Sequence, residues 1–238
     1  MSGRRGVLRP VPTILLFDID GTLITQKGTG RRAVAAAFER VHGRPDAVEG
    51  VAFAGRTDPH IFGDGLRRIG LPATQAAIEA VSGAYLALLP DLLAVDANAT
   101  ILPGVGALLD ALAPFAHLAR GLGTGNSEAG ARVKLEHFDL WRHFDFGGYG
   151  SDAADRAALL AAGAARGAAR LGHPLDACRT VVIGDTPLDV AAARAIGAEC
   201  LAVTTGGDTA ETLSGADRVV YDLRDEGAFR FLCGESAA

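Results

Sequence analysis

The chain has 238 residues, of which 49% are hydrophobic and 21% are charged. This balance is typical of a soluble globular protein with one core domain and an insertion, or with two small domains. The net charge of −5 argues against the basic surface that nucleic-acid binding requires. The 3 cysteines are widely spaced and form neither a disulfide framework nor a zinc-binding pattern, which favours a reducing compartment.

Residues 1–12 are predicted to form a flexible arm ahead of the first strand. The arm contains Arg4, Arg5 and Arg9, but the apolar run that follows is too short for a signal peptide. No stretch is expected to reach the length of a membrane-spanning helix. We therefore expect a cytoplasmic protein that binds neither membrane nor nucleic acid.

The first predicted strand is the apolar run Thr13–Phe17, which lies between Pro12 and Gly21. Asp18 and Asp20 follow it and would project the same way if the strand continued. Burial of two like charges is costly unless a cation or hydrogen bonds compensate. A surface turn would also be rich in Asp and Gly, but it does not explain why both acids adjoin a buried strand. The pattern therefore indicates a functional site at the end of this strand.

Residues 28–98 are predicted to be helical, with no convincing strand. Gly70 and Pro90 are predicted to end helices, and Thr57 or Asp58 is predicted to cap the second helix. Apolar residues recur at helical spacing in three groups, which we interpret as the core of a helical bundle. They are Val34, Phe38 and Val41, then Phe62, Leu66 and Ile69, and then Ile78, Val81, Tyr85 and Leu88.

From residue 102 onward, short apolar runs alternate with helical patterns. Such alternation predicts a Rossmann-like α/β core, in which a parallel sheet is flanked by helices on both faces. The predicted strands are 117–123, 144–146, 180–183, 200–203 and 218–221, and helices are predicted to begin near Pro103, Ser127, Asp155 and Thr186.

Three polar residues stand at the carboxyl ends of different predicted strands. They are Asp18, Thr124 and Asp185. In open parallel sheets, ligands bind beyond the carboxyl ends of the strands. The three residues are therefore expected to converge on one crevice.

Four segments of the chain resemble, in order, the signatures of the haloacid dehalogenase-like hydrolases. Residues 18–22, with the sequence DIDGT, resemble the first signature, and residues 124–126 resemble the second. Residues 184–189, GDTPLD, resemble the fourth and most specific one. The third is usually a lysine that opens a helix. This chain has Arg156 at about that place, with Lys134 as the fallback.

The resemblance extends over residues 14–220 and implies an architecture. The Rossmann-like catalytic core would comprise residues 13–27 and 99–233, and residues 28–98 would form a small all-helical cap domain. The resemblance is greatest to the phosphoglycolate phosphatase-like group, which carries such a cap after its first strand.

The resemblance also implies a Mg²⁺-dependent phosphatase that acts on a small phosphomonoester through an aspartyl-phosphate. Asp18 would be the nucleophile and a metal ligand. Asp20 would be the general acid and base and would offer its backbone carbonyl to the metal. Asp185 would be the other carboxylate ligand, with Asp189 supporting it or its water. Asp189 could equally be a first-turn acid that favours the helix dipole.

The remaining implied site residues concern the phosphate and the rest of the substrate. Thr124, Gly125 and Asn126 would hold phosphate oxygens, and Arg156 would balance their charge. In the predicted cap, residues 55–58 resemble a loop that touches substrate in related enzymes. Arg56 and Asp58 are therefore candidate substrate contacts, although Asp58, like Thr57, could equally be only a helix cap.

Other functions for such a chain differ in the residues they require. A dehalogenase of this family needs no metal and typically lacks the second aspartate, so Asp20 argues against it. A phosphonate-cleaving relative needs a cap lysine, for which Lys27 is poorly placed. A non-enzymatic phospho-acceptor domain would need neither Asp20 nor a helical insertion. A sugar phosphomutase keeps all four signatures and remains open. The sequence predicts neither the substrate nor the oligomeric state.

Overall fold

A computed structural model of the chain describes residues 10–26 and 28–234. Most of the predicted N-terminal arm, and Lys27, lie outside these residues. The described chain forms an α/β fold whose central sheet is parallel throughout and has the strand order β5-β4-β1-β6-β7-β8. These strands are β1 (Thr13–Phe17), β4 (Leu118–Thr124), β5 (Phe146–Tyr149), β6 (Arg179–Gly184), β7 (Glu199–Val203) and β8 (Arg218–Val220).

The central position of β1 explains its continuous apolar sequence. All five of its residues are buried, because the strand has a neighbour on each side and helices on each face. Phe17 lies opposite Leu122 of β4 and Ile183 of β6. The three strands therefore end at the same edge of the sheet, and the residues that follow them lie close together.

Helices cover both faces of the sheet. Because side chains alternate along β1, Leu15 and Phe17 enter one buried cluster with α4 and α5, whereas Ile14 and Leu16 enter another with α6 and α7. The helices of this part of the chain are α4 (Val105–Leu112), α5 (Glu128–His137), α6 (Arg156–Leu171), α7 (Pro187–Ala195) and α8 (Glu226–Leu232).

A helical block separates β1 from the rest of the sheet along the chain. It contains α1 (Thr29–His42), α2 (Asp58–Arg68) and α3 (Gln75–Ala94), which enclose a buried cluster of their own. Phe62 and Tyr85 lie in this cluster with ring centroids 5.7 Å apart. The block also packs against the sheet-bearing part of the chain, by which we mean the central sheet with helices α4 to α8. Helix α3 contacts α5, and Val133 of α5 joins the block's buried cluster.

A two-stranded antiparallel ribbon joins the helical block to the sheet-bearing part. It consists of β2 (Ile24–Thr25) and β3 (Thr100–Ile101), with Ile24 opposite Ile101 and Thr25 opposite Thr100. The sequence did not predict this ribbon. The chain enters and leaves the helical block through adjacent strands.

Two sequence predictions about element boundaries were wrong, and a third was confirmed in position only. Pro90 lies inside α3 and does not end it, because buried Leu89 and Leu93 hold the following turn in the block. The third core strand begins at Phe146, whereas Phe144 is a buried residue that precedes it. Of the two residues predicted to cap α2, Thr57 does occupy the cap position, although its side chain makes no capping hydrogen bond, and Asp58 is the first residue of the helix.

The expectation that no stretch reaches membrane-spanning length was also wrong. Helix α3 has 20 residues, and a window of 18 of them has a mean hydropathy of 1.4, so by length and composition alone it could cross a membrane. Its alanine and leucine content produces this value. In the structure, α3 buries Val81, Tyr85, Leu89 and Leu93 inside the helical block.

Candidate active site

The turn after β1 places Asp18 at the floor of a cavity. Asp18 is buried, and its backbone N–H donates to the carbonyl of Ile183 at 2.8 Å. Gly21 has φ +87°, and a side chain there would collide with the carboxylate of Asp185. Glycine therefore permits the close approach of two loops. Thr22 stabilises the contact between these two loops, because its hydroxyl donates to Oδ1 of Asp185 at 2.9 Å.

Helix α7 begins with a capping box that orients Asp189. The backbone N–H and the hydroxyl of Thr186 donate to Oδ2 of Asp189 at 3.0 and 2.7 Å, and the N–H of Asp189 donates back to the Thr186 hydroxyl. Asp189 is thus a first-turn acid, and it also faces the cavity floor. One carboxylate oxygen from each of Asp18, Asp185 and Asp189 lies within 4.8 Å of the others.

Arg156 is the cation beside this carboxylate cluster. It opens α6, where Asp155 caps the helix by accepting from the N–H of Ala158. Its guanidinium lies 2.9 Å from Oδ2 of Asp18, and its Nε donates to Oδ1 of Asp189 at 2.8 Å. The arginine is buried, so these contacts are poorly screened by solvent.

The cluster holds more negative charge than Arg156 can balance. Burial, with a smaller contribution from Asp189 and against the charge of Arg156, raises the pKa of Asp18 to about 6. Burial and the neighbouring Asp18 and Asp189 raise the pKa of Asp185 to about 8. Carboxylates in this state favour either protonation or a bound cation.

The donor set fits a hard divalent cation. All the candidate ligand atoms are carboxylate oxygens, the type that Mg²⁺ prefers, and Asp18 and Asp185 lie on adjacent strand ends. Both oxygens of Asp189 already accept hydrogen bonds, from Arg156 and Thr186, so Asp189 is better placed to orient its neighbours. The residues therefore fit a magnesium ion at this position.

The end of β4 brings the second predicted segment to the same cavity. Thr124 is fully buried, and its hydroxyl oxygen accepts from the backbone N–H and the side-chain amide of Asn126 at 3.3 and 2.9 Å. Gly125 has no room for a side chain, because one would collide with the carbonyl of Arg56. Thr124, Gly125 and Asn126 all line the cavity.

Asp20 lies beside this segment and has its own set of partners. Its Oδ1 accepts from the side-chain amide of Gln26, and its Oδ2 accepts from Asn126 at 2.9 Å and from the ammonium of Lys134 at 2.6 Å. Partial burial acts to raise the pKa of Asp20, but the charge and hydrogen bond of Lys134, with the bonds from Asn126 and Gln26, hold it below its ordinary value. The two candidate basic residues thus contact different aspartates.

The loop of residues 55–58 closes the cavity from the helical block. The N–H of Asp58 donates to the carbonyl of Gly125 at 2.8 Å, and its carboxylate accepts from the N–H of Ser127 at 2.8 Å. The hydroxyl of Thr57 donates to the carbonyl of Ala154 at 3.1 Å. Both side chains thus bind the sheet-bearing part. Arg56 is more exposed and lies 3.4 Å from Asp64, at the cavity wall.

Sequence analysis missed several residues of this site. The cavity has a volume of about 340 Å³, and its wall includes Gln26, Arg31 and Tyr85, none of which was singled out as a site residue. Thr22 lies within the first motif, but the sequence predicted no role for it. Gln26 and Arg31 follow the motif closely, which is the one signal in the sequence that could have drawn attention to them.

The fold and site define an α/β enzyme with a buried carboxylate cluster at the carboxyl edge of its sheet. The model of the haloacid dehalogenase-like hydrolase family matches residues 12–197, and the chain belongs to this family. The family resemblance seen in the sequence is therefore confirmed. The comparison with curated proteins returned no match.

Solved structures share this fold at low identity. A hydrolase from Pseudomonas syringae is 24% identical with a TM-score of 0.63, and the alignment covers 90% of this chain and 95% of that one. CbbY from Rhodobacter sphaeroides, in complex with phosphate, is 18% identical with a TM-score of 0.68, with 91% and 96% covered. A predicted phosphoglycolate phosphatase from Haemophilus somnus is 15% identical with a TM-score of 0.64, with 92% and 97% covered. They confirm the α/β fold of the chain.

Proposed function

We propose that the chain is a Mg²⁺-dependent phosphatase that hydrolyses a small phosphomonoester through an aspartyl-phosphate. The observation that carries the proposal is the position of Asp18. Its carboxylate lies at the cavity floor, in contact with the guanidinium of Arg156 and within 4.8 Å of carboxylate oxygens of Asp185 and Asp189. A nucleophile in that position has both the guanidinium of Arg156 and the candidate magnesium site next to it. Attack on an anionic phosphoryl group requires such positive charge.

The side chains divide the reaction into two steps. Asp18 attacks phosphorus, the bond from phosphorus to the ester oxygen breaks, and Asp20 gives a proton to the departing oxygen. Asp20 then takes a proton from water as that water attacks the aspartyl-phosphate, which releases inorganic phosphate and restores Asp18. A magnesium ion bound by Asp18, Asp185 and the Asp20 carbonyl would neutralise phosphoryl charge.

Phosphate binding is assigned to the end of β4 and to Arg156. The Thr124 hydroxyl accepts two bonds from Asn126 and donates to no other group among the residues described, so its proton is available to a phosphoryl oxygen. The Gly125 amide stands in the same turn, at the cavity wall. Arg156 remains charged throughout, because its carboxylate partners outweigh burial and raise its pKa.

The cavity wall contributed by the helical block favours a substrate with a second polar or anionic group. Arg31 lies there over the ring of Phe53 at 4.1 Å and donates to the carbonyls of Val48 and Val51 at 2.7 Å. Within residues 10–26 and 28–234 it forms no ion pair, so its charge is available. Phosphoglycolate or a sugar phosphate has this character, and a mutant of CbbY from Rhodobacter sphaeroides has been solved in complex with xylulose-(1,5)-bisphosphate.

A screen of phosphorylated metabolites tests the proposal. The purified protein, supplied with Mg²⁺, is expected to release inorganic phosphate from phosphoglycolate-like or sugar-phosphate-like compounds and from a generic aryl phosphate. Movement of phosphate between two carbons of a sugar without release would instead identify a phosphomutase. Absence of turnover for every monoester in Mg²⁺ would contradict the proposal.

A further inference from the structure

Lys134 is a buried lysine to which the two proposed reaction steps assign no role. Its side chain is 5% exposed, and its ammonium lies 2.6 Å from Oδ2 of Asp20. An ammonium is rarely buried unless it is paired, because its desolvation is costly. We infer that Lys134 is a positioning residue that fixes the carboxylate of Asp20 for proton transfer. This inference rests on the proposed function.

Asp20 is held by three donors that leave its carboxylate little freedom. Gln26 donates to Oδ1, whereas Asn126 and Lys134 both donate to Oδ2. Gln26 and Asn126 are neutral amides, so Lys134 supplies the one bond of the three whose donor is itself charged. Loss of this bond would leave Asp20, whose side chain is 41% exposed, oriented by two neutral amides alone.

The helical block holds Lys134 in place. Lys134 lies one turn after Gly130 on the same face of α5. A Cβ at Gly130 would lie 3.6 Å from both Oδ2 of Asp58 and the ring of Tyr85, so α2 and α3 approach α5 closely at that face. Burial acts to lower the pKa of Lys134, but Asp20, Tyr85 and Asp58 outweigh it and raise that pKa. The lysine is therefore a charged link between the block and Asp20.

Arg156 and Lys134 thus divide the positive charge of the site. Arg156 contacts Asp18 and Asp189, the nucleophile side of the cavity floor. The ion pair of Lys134 goes to Asp20, and no ion pair joins it to Asp18, Asp185 or Asp189 among the residues described. Removal of Lys134 should consequently impair proton transfer and leave the attack on phosphorus largely intact.

The dependence of rate on the leaving group distinguishes these two effects. A nitrophenolate leaves without a proton, whereas an alkoxide needs one, so general-acid catalysis matters much more for an alkyl phosphate. In single-turnover measurements with excess enzyme and Mg²⁺, Lys134→Met should slow cleavage of an alkyl phosphate about tenfold or more. It should slow cleavage of p-nitrophenyl phosphate about twofold or less, and Lys134→Arg should recover part of the alkyl rate.

Asp20→Asn provides the internal comparison. If Lys134 acts through Asp20, the double variant Asp20→Asn/Lys134→Met should be no slower on the alkyl phosphate than Asp20→Asn alone. Arg132→Ala is the matched control, because Arg132 lies on the same helix but pairs with Glu136 at the surface. That variant should retain both rates.

Two results would overturn the inference. One is an equal loss on both substrates by folded Lys134→Met, which would indicate a structural role. The other is an additive loss in the double variant. If Lys134→Met does not fold, Lys134→Arg and Lys134→Gln are compared in the same two assays, with circular dichroism as the check on folding. A wild-type protein that cleaves neither substrate would instead contradict the proposed function.

Discussion

The guanidinium of Arg156 lies 2.9 Å from Oδ2 of Asp18, although the two residues are far apart in the chain. Both are buried, so the pair is neither an exposed ion pair nor a solvated helix terminus. The same guanidinium also contacts Asp189 and the carbonyl of Gly55 in the loop that closes the cavity. One side chain therefore connects the proposed nucleophile, the first turn of α7 and the helical block.

Asp18→Asn should abolish turnover while preserving the fold. An amide is a poor nucleophile, and the substitution keeps the size of the side chain. Steady-state release of phosphate should fall by at least about 10³-fold, on the scale typical for loss of a catalytic group. Glu211→Gln is the matched control, since Glu211 is exposed and is not one of the residues that line the cavity. An Asp18→Asn protein that retained most of its activity would contradict the covalent mechanism.

Chelation should abolish activity, and added Mg²⁺ should restore it. The three buried carboxylates otherwise repel one another. Ca²⁺ should inhibit, because its looser coordination positions oxygens less strictly. Phosphate release in EDTA, and after titration with each ion, measures this. Asp185→Asn should raise the Mg²⁺ concentration needed for half-maximal activity. Full activity in chelator would remove the metal assignment and reopen the dehalogenase alternative.

Arg156→Ala should reduce both activity and stability. Removal of one member of a buried ion pair leaves its partners uncompensated, which costs about 3–5 kcal/mol in other proteins. Arg156→Lys should recover part of the activity, incompletely because an ammonium cannot contact Asp18 and Asp189 in the same geometry. Chemical unfolding and phosphate release measure the two effects. Normal activity in Arg156→Ala, together with an inactive Lys134→Ala, would transfer the charge-balancing role to Lys134.

The metal-free protein should become less stable as the pH rises from about 4 to about 8. The pKa values of Asp18 and Asp185 are raised from 3.8 to about 6 and about 8, so both carboxyls ionise later in the folded state than in the unfolded chain. The folded state therefore binds more protons in this window, and its stability falls as they are lost. Once the pH exceeds the pKa of Asp185, about 8, the effect is complete.

Thermal unfolding in EDTA across this pH range measures the effect. Asp185→Asn should lack the upper part of the slope, because an amide does not titrate. Mg²⁺ should stabilise the wild type more at the upper end of the range than at the lower end, where protons compete for the carboxylates. Identical slopes for wild type and Asp185→Asn would show that Asp185 is not the group responsible.

Arg56→Ala and Asp58→Ala should have different effects on substrate selection. Arg56 lies at the cavity wall, where its side chain pairs with Asp64 of the helical block, so its loss should impair a native metabolite more than a small aryl phosphate. Asp58 binds the N–H of Ser127, so its loss should weaken closure and slow both substrates. The ratio of kcat/KM for the two substrates measures this. An unchanged ratio in Arg56→Ala would mean that specificity arises elsewhere.

Strand-end positions could be predicted from the sequence because they depend on local patterns. The apolar run Thr13–Phe17 and the capping sequence at Thr186 both appear in the structure as expected. Local patterns could not predict which of the two basic residues, Arg156 or Lys134, lies beside Asp18. Each contacts an aspartate from a distant part of the chain, and those contacts depend on how α5 and α6 pack on the sheet.

Local rules also failed where packing prevailed. Proline commonly ends a helix, yet Pro90 lies within α3, where the burial of Leu89 and Leu93 compensates for the missing hydrogen bond. The ribbon of β2 and β3 has two residues in each strand, which is too short for any periodicity to be recognised. Thr57 and Asp58 are residue types that commonly cap helices, but both side chains form hydrogen bonds to distant parts of the chain instead.

The pairing of Ile24–Thr25 with Thr100–Ile101 makes the whole helical block, topologically, the loop of a single hairpin. The free energy of closing a loop grows only slowly with its length, so a hairpin whose ends are fixed tolerates large changes between them. Helices could be lengthened, replaced or removed between these two strands without altering the path of the sheet. Such changes would alter the cavity wall that the block contributes, whereas Asp18, Thr124 and Asp185 would keep their places at the strand ends.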